Sequence, residues 1–250
     1  MRNFIKKNIK KLFYKLGFDI RNIDHSFFTL DKEFGETFKV CRPFTMTSLE
    51  RMYALYKATE YVAKAGISGD IVECGVWKGG SAMLVAMTLM KFGCTDRKIF
   101  LYDTFEGMSE PSLLDVDSEG KNAEIFFNKT KRDNGSNWCY SPLDEVKKNL
   151  LATGYPEKNI IFVKGKVEDT IPGILPENIC LLRLDTDWYD STYHEMKHLF
   201  PILVKNGVLV LDDYGYWQGA RTAVDKYLYE SKINILLNKI DFSGRVGIKV

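Results

Sequence analysis

Cys180-Leu181-Leu182-Arg183-Leu184-Asp185-Thr186-Asp187-Trp188-Tyr189-Asp190-Ser191-Thr192 is an apolar run that ends in carboxylates. Val208-Leu209-Val210-Leu211-Asp212-Asp213-Tyr214 repeats the pattern downstream. Short apolar runs of this kind read as buried strands. In an open α/β sheet, ligands bind outside the carboxyl ends of the strands. Two neighbouring strands therefore bring Asp185, Asp212 and Asp213 to one mouth. Unpaired carboxylates packed that closely repel one another, and a hard divalent cation such as Mg²⁺, which takes oxygen ligands and keeps open positions, relieves the repulsion. A single Asp after a strand serves equally as a helix N-cap or a solvated loop end. The doubled pattern and the tandem Asp212-Asp213 favour metal.

Working outward, strand and helix patterns alternate from Asp70 onward. Strands are expected over residues 70–74, 98–103, 160–164, 179–185 and 208–212, and helices over 81–92, 143–153, 193–203 and 220–231. Residues 233–241 and 245–250 read as a closing antiparallel pair with Ser243-Gly244 at the turn. This order predicts an α/β fold with a mainly parallel sheet covered on both faces. Ahead of it, Thr47-Ser48-Leu49-Glu50 is a capping-box pattern opening a helix that runs to Gly66. Residues 1–46 are set apart as an N-terminal extension, and 47–250 as the main domain.

Glu73-Cys74-Gly75-Val76-Trp77-Lys78-Gly79-Gly80-Ser81 lies between the first strand and its helix, where glycines let the backbone approach a ligand. Asp103 ends the second strand, placed to accept both ribose hydroxyls of a nucleoside. The loop departs from the G-x-G-x-x-G form of dinucleotide enzymes, and Trp77 and Lys78 leave little room for a pyrophosphate. A nucleoside with an amino-acid tail fits better, with Glu73 and Ser81 meeting the ammonium and carboxylate of a methionine moiety. A nicotinamide-dependent oxidoreductase and a non-catalytic binding or scaffold subunit are the competing readings.

The stretches at residues 70–81, 102–111 (Tyr-Asp-Thr-Phe-Glu-Gly-Met-Ser-Glu-Pro), 182–192 and 211–214 resemble the macrocin/mycinamicin-type sugar O-methyltransferases. The resemblance covers residues 45–245 and implies a class I methyltransferase fold: a Rossmann-like, mainly parallel seven-stranded sheet with a closing antiparallel strand. It implies S-adenosylmethionine and Mg²⁺ as cofactors, with Gly75, Gly79, Ser81 and Asp103 holding the former. It places Lys166, Val167 and Glu168 near the adenine, where Lys166-Val167 replaces an aromatic pair frequent in the family. It further implies that Asp185, Asp212 and Asp213 hold Mg²⁺, with Asp185 a plausible base. The metal would orient a vicinal diol of a small-molecule or glycan acceptor and stabilise the forming alkoxide.

Residues 104–141 are too long for an ordinary connector and read as a lid or acceptor insertion. Glu106, Trp138 and Tyr140 suit sugar hydroxyls and stacking on a sugar face, whereas Asp115 and Asp117 individually read as solvated loop. His194 and His198, four apart on one helix face, read as packing rather than as a ligand pair. The net charge of +2 over 250 residues gives no nucleic-acid signal. Five scattered cysteines without zinc spacing point to reduced thiols and a cytoplasmic protein. Residues 1–16 form a basic amphipathic pattern, read as a homo-oligomer element or a membrane-surface contact.

Overall fold

The computed structural model describes Ile9, Phe13, residues 31–133 and residues 135–250. Apart from Ile9 and Phe13, which are helical, the expected basic helix lies outside the described residues. Glu36–Val250 forms one compact unit. Helix α1 (Lys32–Cys41) and a short 3-10 turn (Arg42–Phe44) precede α2 (Leu49–Lys64). Ser48, one residue later than the capping-box pattern implies, caps α2 by accepting from the Arg51 N–H at 3.1 Å.

Strands β1 (Asp70–Cys74), β2 (Ile99–Asp103), β3 (Ile160–Lys164), β4 (Ile179–Leu184), β5 (Leu203–Leu211), β6 (Asn238–Lys239) and β7 (Arg245–Ile248) form one seven-stranded sheet in the order β3-β2-β1-β4-β5-β7-β6. The first five in that order are parallel; β7 runs antiparallel to both β5 and β6. The interleaved helices are α3 (Gly80–Lys91), α4 (Glu124–Thr130), α5 (Leu143–Leu151), α6 (Val167–Thr170), α7 (Tyr189–Leu199) and α8 (Gln218–Glu230). Every residue of β4 is buried, which is why its sequence is a continuous apolar run broken only by Arg183.

Side chains alternate across each strand, and one face takes Val72, Cys74, Phe100, Tyr102, Leu182, Leu184, Leu209 and Leu211 against Met196 and Leu199 of α7 and Val224 and Tyr227 of α8. Glu73 and Arg183, the out-of-phase neighbours on β1 and β4, sit side by side in register and face the α2 side.

Four boundaries differ from expectation. Helix α7 begins at Tyr189 rather than 193, because Asp115 reaches over from the long insertion and accepts the Tyr189 N–H at 2.7 Å. The same helix stops at Leu199, because Pro201 has no N–H to continue the ladder, and β5 starts already at Leu203. The β6 partner shrinks to Asn238–Lys239, since Ile233, Ile235 and Leu237 pack on the core without pairing.

The insertion is built, not loose. Asp115 and Asp117, expected in solvent, are both buried. Asp115 also accepts from the Ser112 N–H and Oγ at 2.6 and 2.9 Å, and Asp117 accepts from the Glu119 and Lys121 N–H groups, both at 2.9 Å. Trp138, Trp188 and Trp217 meet edge to face or tilted, at centroid separations of 5.0–6.1 Å, and pin the insertion to the starts of α7 and α8.

Candidate active site

A cavity of about 860 Å³ opens at the carboxyl ends of the parallel strands, where chain order reverses between β1 and β4. The β1 loop and the β4 end touch at Gly75. Its φ is +82°, and a Cβ there would fall 1.9 Å from the Asp185 carbonyl oxygen, so only glycine permits the approach. That contact sets the Asp103 side of the cavity directly against the side of Asp185, Asp212 and Asp213.

Of the residues singled out in the sequence, Gly75, Ser81, Asp103, Lys166, Val167, Glu168, Asp185, Asp212 and Asp213 line the cavity. Gly79 and Glu73 are not among the lining residues. A Cβ on Gly79 would meet Leu150 Cδ2 at 2.5 Å, so this glycine serves the packing of α5. Asp103 accepts the Val76 and Trp77 N–H groups on Oδ2, at 2.7 and 3.1 Å, and the Phe105 N–H on Oδ1 at 2.6 Å. Trp77 and Phe105 both hold positive φ, so this carboxylate fastens two strained turns as well as facing the cavity. Burial pushes the Asp103 carboxyl up, against the pull of those N–H groups.

At the opposite side the organising residue is Arg183, which sequence reading passed over as part of an apolar run. Its Nη1 donates to Glu73 Oε1 at 2.7 Å, Nη2 to Asp185 Oδ2 at 2.6 Å and to Thr47 Oγ1 at 3.2 Å, and Nε to Asp212 Oδ1 at 3.1 Å. Burial opposes its charge, yet Asp185, Asp212 and Glu73 together hold it well above the usual arginine range. A second guanidinium, Arg51 of α2, donates to Asp212 Oδ2 at 2.6 Å and to Asp241 Oδ2 at 3.0 Å. A lone arginine inside a buried strand is itself a signal, because such a charge must find an acid, and Glu73 lies at the matching position of β1.

Two guanidinium groups face six carboxyl groups here, Glu73, Asp185, Asp187, Asp212, Asp213 and Asp241, so acids outnumber cations. Burial, then repulsion from Asp212 and Asp213, pushes Asp185 well above the carboxylate range despite Arg183. Burial, then Asp187 and Asp212, does the same for Asp213. Asp187, not assigned from sequence, joins them: its N–H donates to Asp213 Oδ2 at 3.3 Å, and burial beside Asp185 pushes its carboxyl up to about 7. Burial likewise raises Glu73 to about 7. Among the described residues no group of three or more His, Cys, Asp or Glu side chains is drawn together as a formed metal site. The donors nevertheless fit a hard cation in kind, being buried carboxyl oxygens of which Asp213 and one oxygen of Asp185 lie outside any ion pair among the described residues.

The remaining wall is apolar. Met108, Phe126, Trp138, Trp217 and Phe242 line it, with Asp117 and Lys121 at polar positions. Glu106, Asp115 and Tyr140 of the insertion are not among the lining residues: Glu106 pairs with Lys164 at 2.8 Å and Tyr140 stacks under Arg132. His194 and His198 lie against each other at 4.4 Å between centroids, away from the lining, with His194 Nε2 2.9 Å from the Ile171 carbonyl.

Residues 28–246 match the Macrocin-O-methyltransferase (TylF) family. The chain belongs to this family. It is 33% identical to the 8-demethyl-8-(2,3-dimethoxy-alpha-L-rhamnosyl)-tetracenomycin-C 4'-O-methyltransferase of Streptomyces olivaceus, over 80% of this chain and 73% of that one. It is 26% identical to the mycinamicin III 3''-O-methyltransferase of Micromonospora griseorubida, over 97% and 93%. Among solved structures it is similar to the O-methyltransferase NovP, with a TM-score of 0.73 and 25% identity over 83% and 82% of the two chains. As a member of the family the chain is an O-methyltransferase with the class I fold.

Proposed function

We propose that the protein transfers a methyl group from S-adenosylmethionine to a hydroxyl of a sugar, with the acceptor's vicinal hydroxyls gathered on a divalent cation. The observation that carries this reading is the single cavity in which Gly75, Ser81 and Asp103 face Asp185, Asp212 and Asp213. Family membership supports it, as do relatives whose names specify a rhamnosyl tetracenomycin and a mycinamicin as acceptors. The loop of Gly75 and Ser81 holds the methionine end, Asp103 the ribose, and Lys166, Val167 and Glu168 border the adenine. S-adenosylmethionine supplies an electrophilic methyl on a sulfonium, and the walls of the cavity hold donor and acceptor in line.

Asp185, Asp212 and Asp213 are the proposed ligands of Mg²⁺, which supplies Lewis-acid stabilisation of a forming alkoxide. Asp185 is the proposed proton acceptor. Asp187 is the second candidate for that step, because Arg183 already holds Asp185 Oδ2 whereas, among the described residues, no ion pair reaches Asp187. The five free cysteines, three of them buried, accord with the reducing cytoplasm. Among the described residues no helix is long and apolar enough to cross a membrane.

Incubating the protein with S-adenosylmethionine, Mg²⁺ and a panel of rhamnosylated glycans and nucleotide sugars, read by mass spectrometry, tests the proposal. One added methyl on a sugar hydroxyl is expected, lost in EDTA while S-adenosylhomocysteine still binds by calorimetry. Methylation confined to non-sugar hydroxyls refutes the acceptor class, and full activity of metal-free protein in EDTA refutes the cation.

A further inference from the structure

The three carboxylates proposed for the cation are not equally available. Asp213 takes part in no ion pair among the described residues, and Asp185 has one oxygen on Arg183. Asp212 has both oxygens on guanidinium groups: Oδ1 on Arg183 at 3.0–3.1 Å and Oδ2 on Arg51 at 2.6 Å. Arg51 also lines the cavity, and its charge is held up, against burial, by Asp212, Asp241, Asp185 and Asp213 together. It thus sits within the field that would draw a divalent ion. With metal–oxygen bonds of about 2.1 Å, an ion on Asp212 Oδ2 and Arg51 Nη1 would lie within about 5 Å of each other. Arg51 has somewhere else to go: Asp241 Oδ2 accepts its Nε at 3.0 Å and the Ser48 hydroxyl at 2.6 Å, at the start of α2.

We propose that Arg51 is an internal competitor of the cation, neutralising Asp212 until a divalent ion arrives and then retained by Asp241. The proposal rests on the cation reading given above. It makes the start of α2, with Thr47 and Met46 on the cavity wall, responsive to metal loading.

The test is Mn²⁺ affinity of the full chain, measured from the free-ion electron paramagnetic resonance signal, with S-adenosylhomocysteine calorimetry on each variant as a check of the cavity. Even with the screening of bulk water, a dication and a unit charge about 5 Å apart repel enough to shift a binding constant about tenfold. Arg51→Met should therefore bind Mn²⁺ about tenfold more tightly. Asp241→Asn, which leaves Arg51 leaning on Asp212 alone, should bind it several-fold more weakly. A purely structural role for Arg51 predicts weaker binding in both variants. Unchanged or weaker binding by folded Arg51→Met overturns the proposal, and if that variant does not fold, the same result with Arg51→Gln, which also removes the charge but keeps hydrogen-bonding groups, does so. Wild-type protein that binds no Mn²⁺ at millimolar concentration overturns the cation reading itself and this proposal with it.

Discussion

Replacing Arg183 by Met should expose how the acidic cluster is kept inside the fold. Arg183 is 2% exposed, and its guanidinium reaches Glu73, Asp185, Asp212 and Thr47. Methionine fills much of the volume but leaves Glu73, also 2% exposed, without its cation. Removing one partner of a buried ion pair costs about 3–5 kcal/mol, or about a 10 °C fall in Tm for a chain of this length. The loss should depend on pH. Folding already raises Glu73 to about 7, through burial, so its neutral form is the one the folded state prefers. Its contribution is therefore present at acid pH and declines as pH rises through about 7. Without Arg183, whose charge pulls the other way, the preference for the neutral form grows. Urea unfolding should show the full loss at pH 8 and roughly half of it at pH 5.5. The Glu73→Gln, Arg183→Met double variant should lose less at pH 8 than Arg183→Met alone. An equal loss at both pH values, or a double variant no better than the single, would refute the reasoning.

Asp103→Ala should weaken S-adenosylhomocysteine binding at least tenfold by calorimetry, since a buried charged hydrogen bond contributes about 1.5–3 kcal/mol; unchanged affinity removes Asp103 from the cofactor site. Gly75→Ala should abolish soluble folded protein, whereas Gly120→Ala, at a similar φ with nothing within 4 Å of its Cβ, should cost only about 1–2 kcal/mol; similar thermal melts for the two would contradict the close approach to Asp185. Asp213→Asn should lose activity that high Mg²⁺ partly restores, because an amide oxygen still coordinates. Asp185→Asn should not be restored if Asp185 also takes the proton, and its rescue by Mg²⁺ would move that role to Asp187.

The sheet was legible because parallel strands buried on both faces must be apolar runs, and Val208–Leu211 can hardly be anything else in its context. The glycine loop and the acids at strand ends were legible for the same topological reason: strand ends converge. What escaped was set by partners distant in sequence. The start of α7 depends on Asp115, 74 residues away, and no local signal marks that cap. Asp115 and Asp117 read as solvated because isolated acids in a long polar segment normally are, whereas here tryptophan packing closes the segment over them. Thr47 read as a helix cap, but its hydroxyl accepts from Arg183 and the cap falls to Ser48.

The tryptophans have a spectroscopic consequence. The chain contains four. Trp77, Trp138 and Trp217 line the cavity, while Trp188 touches the last two edge-on and donates its indole N–H to the Ser109 carbonyl at 3.0 Å. The tryptophan emission of the protein, excited selectively above the tyrosine band, therefore originates at or beside the candidate cavity, with no indole elsewhere to dilute it. Three of the four rings lie near enough to exchange excitation energy, so one quenched ring darkens its neighbours. The unlabelled protein thus carries its own optical gauge of cavity occupancy, suited to stopped-flow measurement of cofactor and acceptor arrival, and of the proposed cation, on a single sample.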